Sequence, residues 1–186
     1  MAAPRLRPHD PTEYIKLLSW VKGAKSVLEV GSRFGYTVLD MAHVMDGKGK
    51  VVSVDLPDAE GWGDALAKTA IDHLRKNIKQ LKDEGYDAHL FEGDSKSPGI
   101  IESVKALGPF DVVFIDGDHS YEGVLADWLN YGPMGRTVIF HDIRKPQPGE
   151  NQALEVWKLW ETIREEPMTV EFLAPGSRMG IGKIDH

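Results

Sequence analysis

Four residues in the second half of the chain have the types and spacing for acid–base or metal chemistry. Asp116 and His119 follow the apolar run DVVFI, and His141 and Asp142 close the run RTVIF. Carboxylates and neutral imidazoles accept protons near neutral pH and bind divalent ions. His119 and His141 with one of the two carboxylates would suit an iron site for oxidation. Alternatively, Asp116, Asp118 and His119 form a solvated turn that caps a helix at Ser120. A second constellation lies upstream, where SVLEV runs into EVGSRFG and sets Glu29, Gly31 and Gly35 between an apolar run and a helical pattern. Glycine there lets the backbone approach a ligand, and a helix N-terminus favours polar or negative groups. The residue two after Gly31 is Arg33, so this is not the dinucleotide-binding G-x-G-x-x-G. Asp55 ends KVVSVD, where a carboxylate can accept both hydroxyls of a ribose. Asp94 follows AHLFEG and either faces an adenine amino group or caps the next helix.

The elements that must hold these residues alternate in type. Asp10, Pro11 and Glu13 supply an N-cap, an N1 proline and a capping-box acid ahead of Ile15, Leu18 and Val21, so a first helix is expected there. Strand-like SVLEV, KVVSVD, AHLFE, DVVFID and RTVIFHD are separated by helical patterns near 36–45, 64–83, 100–106 and 121–130. Such alternation predicts a parallel sheet. Ala153, Val156, Trp157, Trp160 and Ile163 form a further helical stripe, with both tryptophans expected in the core. MTVEFLA and RMGIGKI around Pro175-Gly176 read as a closing hairpin. The expected fold is α/β: a Rossmann-like, seven-stranded, mostly parallel sheet with helices on both faces and a C-terminal antiparallel hairpin, formed by residues 1–186 as one domain. Trp62, in the loop after Asp55, either covers a bound base or packs. His43, His73 and His89 have no partners at ligand spacing.

Composition narrows the classes. The 186 residues carry 41% hydrophobic and 27% charged side chains, ordinary for a globular chain. A net charge of −7 repels phosphate backbones and argues against nucleic acid. The absence of cysteine excludes disulfides and thiolate sites. MAAPRLRPHDP lacks the apolar stretch of a signal peptide, and no apolar run reaches membrane-spanning length. A cytoplasmic protein is expected, with no membrane partner and an oligomer open.

Together EVGSRFG, VVSVDL and FEGDS resemble a class I S-adenosylmethionine-dependent methyltransferase, over roughly Ser26 to Asp142. The resemblance implies that Glu29, Gly31, Ser32 and Gly35 line the methionine and sugar of the cofactor, Asp55 and Leu56 the ribose, and Asp94 and Ser95 the adenine end. FIDGDHSYEGVLADW looks like the branch of small-molecule O-methyltransferases that holds the macrolide-sugar methyltransferases and the cephalosporin-biosynthesis protein, with catechol-type enzymes more distant. In that branch Asp116 would be a metal ligand touching the cofactor, His119 the general base, and His141-Asp142 the ligand pair for a divalent cation, Mg²⁺ by analogy. His141 departs from the oxygen ligand that Mg²⁺ prefers. It implies a softer metal, a substrate-orienting role, or no metal. The implied reaction is methylation of a small-molecule hydroxyl. An iron oxygenase and a non-catalytic S-adenosylmethionine-binding module are the alternatives. Base methylation fits poorly, because IDGDHSY lacks an Asn or Asp followed by Pro-Pro and an aromatic.

Overall fold

Valine- and isoleucine-rich runs buried on both faces make the centre of this molecule, as parallel strands covered by helices require. The computed structural model describes residues 10–57 and 64–186, with only the backbone at 64–67. Trp62 and the first nine residues lie outside the described residues. The elements are α1 (Pro11–Val21), β1 (Ser26–Val30), α2 (Tyr36–Val44), β2 (Lys50–Asp55), α3 (Asp64–Asp83), β3 (Asp87–Glu92), α4 (Pro98–Lys105), β4 (Phe110–Ile115), α5 (Tyr121–Tyr131), β5 (Gly135–His141), α6 (Val156–Ile163), β6 (Thr169–Phe172) and β7 (Ile181–Asp185).

The seven strands lie in the order β3-β2-β1-β4-β5-β7-β6, parallel except for β7, which runs antiparallel to both β5 and β6. Side chains alternate across each strand. Val27, Val51, Val112 and Ile139 therefore pack under α1, α2 and α3, while Leu28, Val52, Val113 and Val138 pack under α4, α5 and α6. The expected helices on both faces are present. The chain reverses direction across the sheet between β1 and β4, and the open crevice of a doubly wound sheet lies at such a switch point. Register sets the rim of that crevice: Val30 pairs with Val54 and with Ile115, and Ile115 pairs with Phe140. The residues that follow, Gly31, Asp55, Asp116 and His141, thus share one edge.

Three details differ from the sequence expectation. Asp10 does cap α1, accepting from the amides of Thr12 at 2.8 Å and Glu13 at 3.2 Å. Glu13, however, does not close a capping box. Its buried carboxylate accepts from the amides of Gly180 at 3.0 Å and Ala174 at 3.4 Å, because that connection between β6 and β7 has backbone donors without ladder partners. The helix α6 begins at Val156, so Ala153 lies outside it. Trp160 is buried and donates to Glu171 at 2.5 Å, whereas Trp157 is only half-buried beneath the ammonium of Lys145, 4.6 Å from its ring centre. The side chain of Trp160 lies where Gly182 would carry a Cβ, 2.3 Å away, so β7 must have glycine there. No described helix is long and apolar enough to cross a membrane.

Candidate active site

A cleft of about 1250 Å³ opens at the carboxyl edge of β1, β2, β4 and β5. It exceeds the roughly 300–1,000 Å³ usual for one small ligand, leaving room for two molecules side by side. Gly31 has φ +89°, and a Cβ there would lie 2.3 Å from the carbonyl oxygen of Asp116. The ends of β1 and β4 can therefore touch only through glycine. Gly35, at φ +72°, caps α2, and a Cβ would meet Leu74 at 2.6 Å. Between them Arg33 adopts φ +50° and donates its amide to the Asp55 carboxylate. Burial raises the Asp55 carboxyl above its ordinary range, against the lowering effect of that amide. Glu29 is buried under the turn, and burial pushes its carboxyl well up despite a hydrogen bond from Ser32. The Ser32 hydroxyl also accepts from Ser53 at 2.7 Å. Leu56, half-exposed, lies beside Asp55 on the cleft wall.

The β3 end is organised differently. Asp94 lines the cleft but accepts from the Lys96 amide at 2.9 Å, so it closes its own turn. Ser95 is held from behind: its hydroxyl donates to Asp127 at 2.7 Å and its carbonyl accepts from the Tyr131 hydroxyl at 2.6 Å. Asp127 is buried, and burial pushes its carboxyl up to about 6. Sequence reading missed Asp127 and Tyr131. Their spacing of four on α5 put them on one helix face, but nothing in the pattern showed that the face meets the cleft.

Asp116, His119, His141 and Asp142 come together at the ends of β4 and β5. His141 Nδ1 lies 3.2 Å from Asp116 Oδ1 and 3.4 Å from Asp142 Oδ1. His119 Nε2 lies 3.5 Å from Asp116 Oδ1, and its Nδ1 lies 3.3 Å from Asp142 Oδ2. Asp116, His119 and Asp142 each present a donor atom within 4.8 Å of the others. Asp142 is 4% exposed, stands at φ +59°, and its Oδ1 has no hydrogen-bond partner. Burial by itself would lower both imidazoles; the Asp116 and Asp142 carboxylates reverse this and raise them, His141 most. The solvated-turn alternative fits Asp118 alone, which accepts from the Ser120 amide at 3.0 Å and hydroxyl at 2.8 Å. Asp116 and His119 point instead into the cluster. The loop after β5 covers it, with the Glu155 amide donating to the His119 carbonyl at 2.8 Å.

The remaining wall comes from a segment the motifs did not reach. Arg144 donates its amide to the Met179 carbonyl at 2.8 Å, which brings Arg178 and Met179 of the β6–β7 connection to the cleft beside Glu150. Glu150 pairs with Arg144 at 2.8 Å and lies 3.6 Å from Arg178.

A family model described as a methyltransferase domain matches residues 28–143, from β1 to just past Asp142. The chain belongs to this methyltransferase-domain family. Catechol O-methyltransferase of Niastella koreensis is 26% identical over 108 residues, 57% of this chain, and the chain spans only 43% of that relative. Among solved structures, the O-methyltransferase of Bacillus cereus in complex with SAH aligns with TM-score 0.65 and 21% identity, covering 97% of this chain and 84% of that one. The O-methyltransferase TomG of Streptomyces achromogenes, involved in tomaymycin synthesis and in complex with SAM, aligns with TM-score 0.61 and 16% identity, over 97% and 81%. At these identities the structural likeness establishes a methyltransferase fold. The residues of the matched segment include every site residue singled out above between Glu29 and Asp142.

Proposed function

We propose that this methyltransferase-family chain moves a methyl group from S-adenosylmethionine to a hydroxyl of a small molecule, with a divalent cation and His119 preparing that hydroxyl. One observation carries the reading: the turn after β1, the Asp55 carboxylate and the Asp116–His119–Asp142 cluster line the same two-ligand cleft. Glu29, Gly31, Ser32 and Gly35 would hold the methionine and sugar, Asp55 and Leu56 the ribose, and Asp94 and Ser95 the adenine end. When bound, S-adenosylmethionine supplies an activated methyl on a sulfonium, and a divalent cation supplies charge to stabilise an alkoxide. Two carboxylates converge where a cation would sit, and the buried Asp142 Oδ1, which accepts no hydrogen bond, fits that role. The chain's own task is positional: Gly31 brings the β1 end against Asp116, so donor and acceptor halves of the cleft are in contact, as in-line displacement demands.

His119 is the group that takes the acceptor proton. Its ring is a third exposed, within reach of a cleft ligand, while His141 is almost fully buried. The carboxylates raise the imidazole; once their charge is neutralised, burial brings it back towards a base effective near neutral pH. A net charge of −7 favours a small-molecule acceptor over nucleic acid, and a cysteine-free chain suits the cytoplasm. The test is transfer of labelled methyl from S-adenosylmethionine to a panel of phenols, catechols and sugars. Label in an acceptor, lost in excess chelator, is the expected result; label in none of these classes while the protein binds S-adenosylhomocysteine would leave a binding module.

A further inference from the structure

The two histidines of the cluster do different jobs, and the difference bears on which ion the site takes. His141 ends β5 with its ring fixed in the sheet edge, and its Nδ1 faces one oxygen of each carboxylate, at 3.2 and 3.4 Å. Donor atoms around a four-coordinate ion with bonds of about 2.0 Å stand about 3.3 Å apart, whereas cis donors around octahedral Mg²⁺ stand about 2.9 Å apart. Asp142 Oδ1, the other near neighbour of that nitrogen, is buried without a hydrogen bond. A buried carboxylate oxygen with no hydrogen bond and only a neutral imidazole beside it is costly, and a cation between the two offsets that cost. His119, in contrast, sits on the turn leading into α5 and remains a third exposed.

We infer that His141 is a nitrogen ligand to the cation held by Asp116 and Asp142, so that this site takes an imidazole-preferring transition ion such as Zn²⁺ or Fe²⁺ over Mg²⁺. The inference rests on the metal-assisted reading above and refines it. Imidazole suits these ions, and Mg²⁺ keeps to oxygen and to water. With the nitrogen ligand on β5, His119, whose ring nitrogens face Asp116 at 3.5 Å and Asp142 at 3.3 Å, is left to take the acceptor proton.

The experiment uses the full chain, stripped with chelator and loaded with Cu²⁺ as a paramagnetic, imidazole-binding probe, and reads ¹⁴N coupling by pulsed electron paramagnetic resonance. Wild type and His119→Ala should both show the coupling of one ligating imidazole, and His141→Asp should lose it. In parallel calorimetry, His141→Asp should narrow the preference for Zn²⁺ over Mg²⁺ by tenfold or more. His141→Gln, which keeps the volume and offers an oxygen, serves if the aspartate variant fails to fold, and it too should lose the coupling. Coupling that survives at position 141 variants but vanishes in His119→Ala would overturn the assignment. So would a wild type that takes up no ion at all, in which case a His141 imidazolium stands in the cation's place. S-adenosylhomocysteine binding to the same samples separates this outcome from failure of the methyltransferase reading, since the cofactor residues do not include His141.

Discussion

The two halves of the cleft are built by different means. At the ends of β1 and β2 the backbone does the shaping: Gly31 and Gly35 stand at positive φ, Arg33 joins them, and the Arg33 amide reaches Asp55. At the ends of β4 and β5 charged side chains crowd together, two carboxylates and two imidazoles with separations of 3.2 to 3.5 Å. A half made of backbone geometry tolerates few substitutions because it is part of the fold. A half made of side chains can lose a group and still fold, so its residues are open to chemical tuning.

Substitutions in each half should separate these behaviours. Gly31→Ala should have the largest effect, since its Cβ would fall 2.3 Å from a backbone oxygen at φ +89°. It should cost at least ~3 kcal/mol or prevent folding, read by urea denaturation. A variant as stable as wild type would mean the β1 and β4 ends are not in contact. His119→Ala should instead fold and melt like wild type, bind S-adenosylhomocysteine, and lose about 10²–10⁴-fold in methyl transfer. Equal activity would leave catalysis by proximity alone.

The comparison also explains what the sequence could show. The backbone half was legible because its signals are local: a glycine turn directly after an apolar run, or an Asp directly closing one. The mostly parallel sheet and the C-terminal antiparallel pair followed from alternation in the same way. Side-chain partners that come from distant segments were not legible. Glu13 matched a local capping pattern, yet a backbone donor 167 residues away won its carboxylate. Arg178 and Met179 reach the cleft only because the β6–β7 connection folds back along Arg144. Asp127 looked like any helix-face acid, and its burial behind Ser95 depends on how α5 packs.

Asp127 gives the smaller, sharper test, because it belongs to neither half and supports the donor half from behind. Its carboxyl rises from 3.8 to about 6 in the fold. A raised acid stabilises the fold while it is protonated, below its unfolded value, and that contribution is lost as pH rises through about 6. Asp127→Asn should therefore gain relative to wild type between pH 4 and pH 7.5, by an amount on the order of 1–3 kcal/mol. Urea titrations of both proteins at the two pH values measure it. A constant difference would mean the carboxylate is ionised and satisfied throughout.

Calorimetric titration with S-adenosylhomocysteine tests most directly whether the β1 and β2 ends hold S-adenosylmethionine. Wild type should bind saturably at one site, and Asp55→Ala, with an unchanged melting profile, should bind at least ~10-fold more weakly, as loss of a charge-assisted pair of hydrogen bonds implies. Binding of NAD with none of S-adenosylhomocysteine, or equal affinity in Asp55→Ala, would contradict the account.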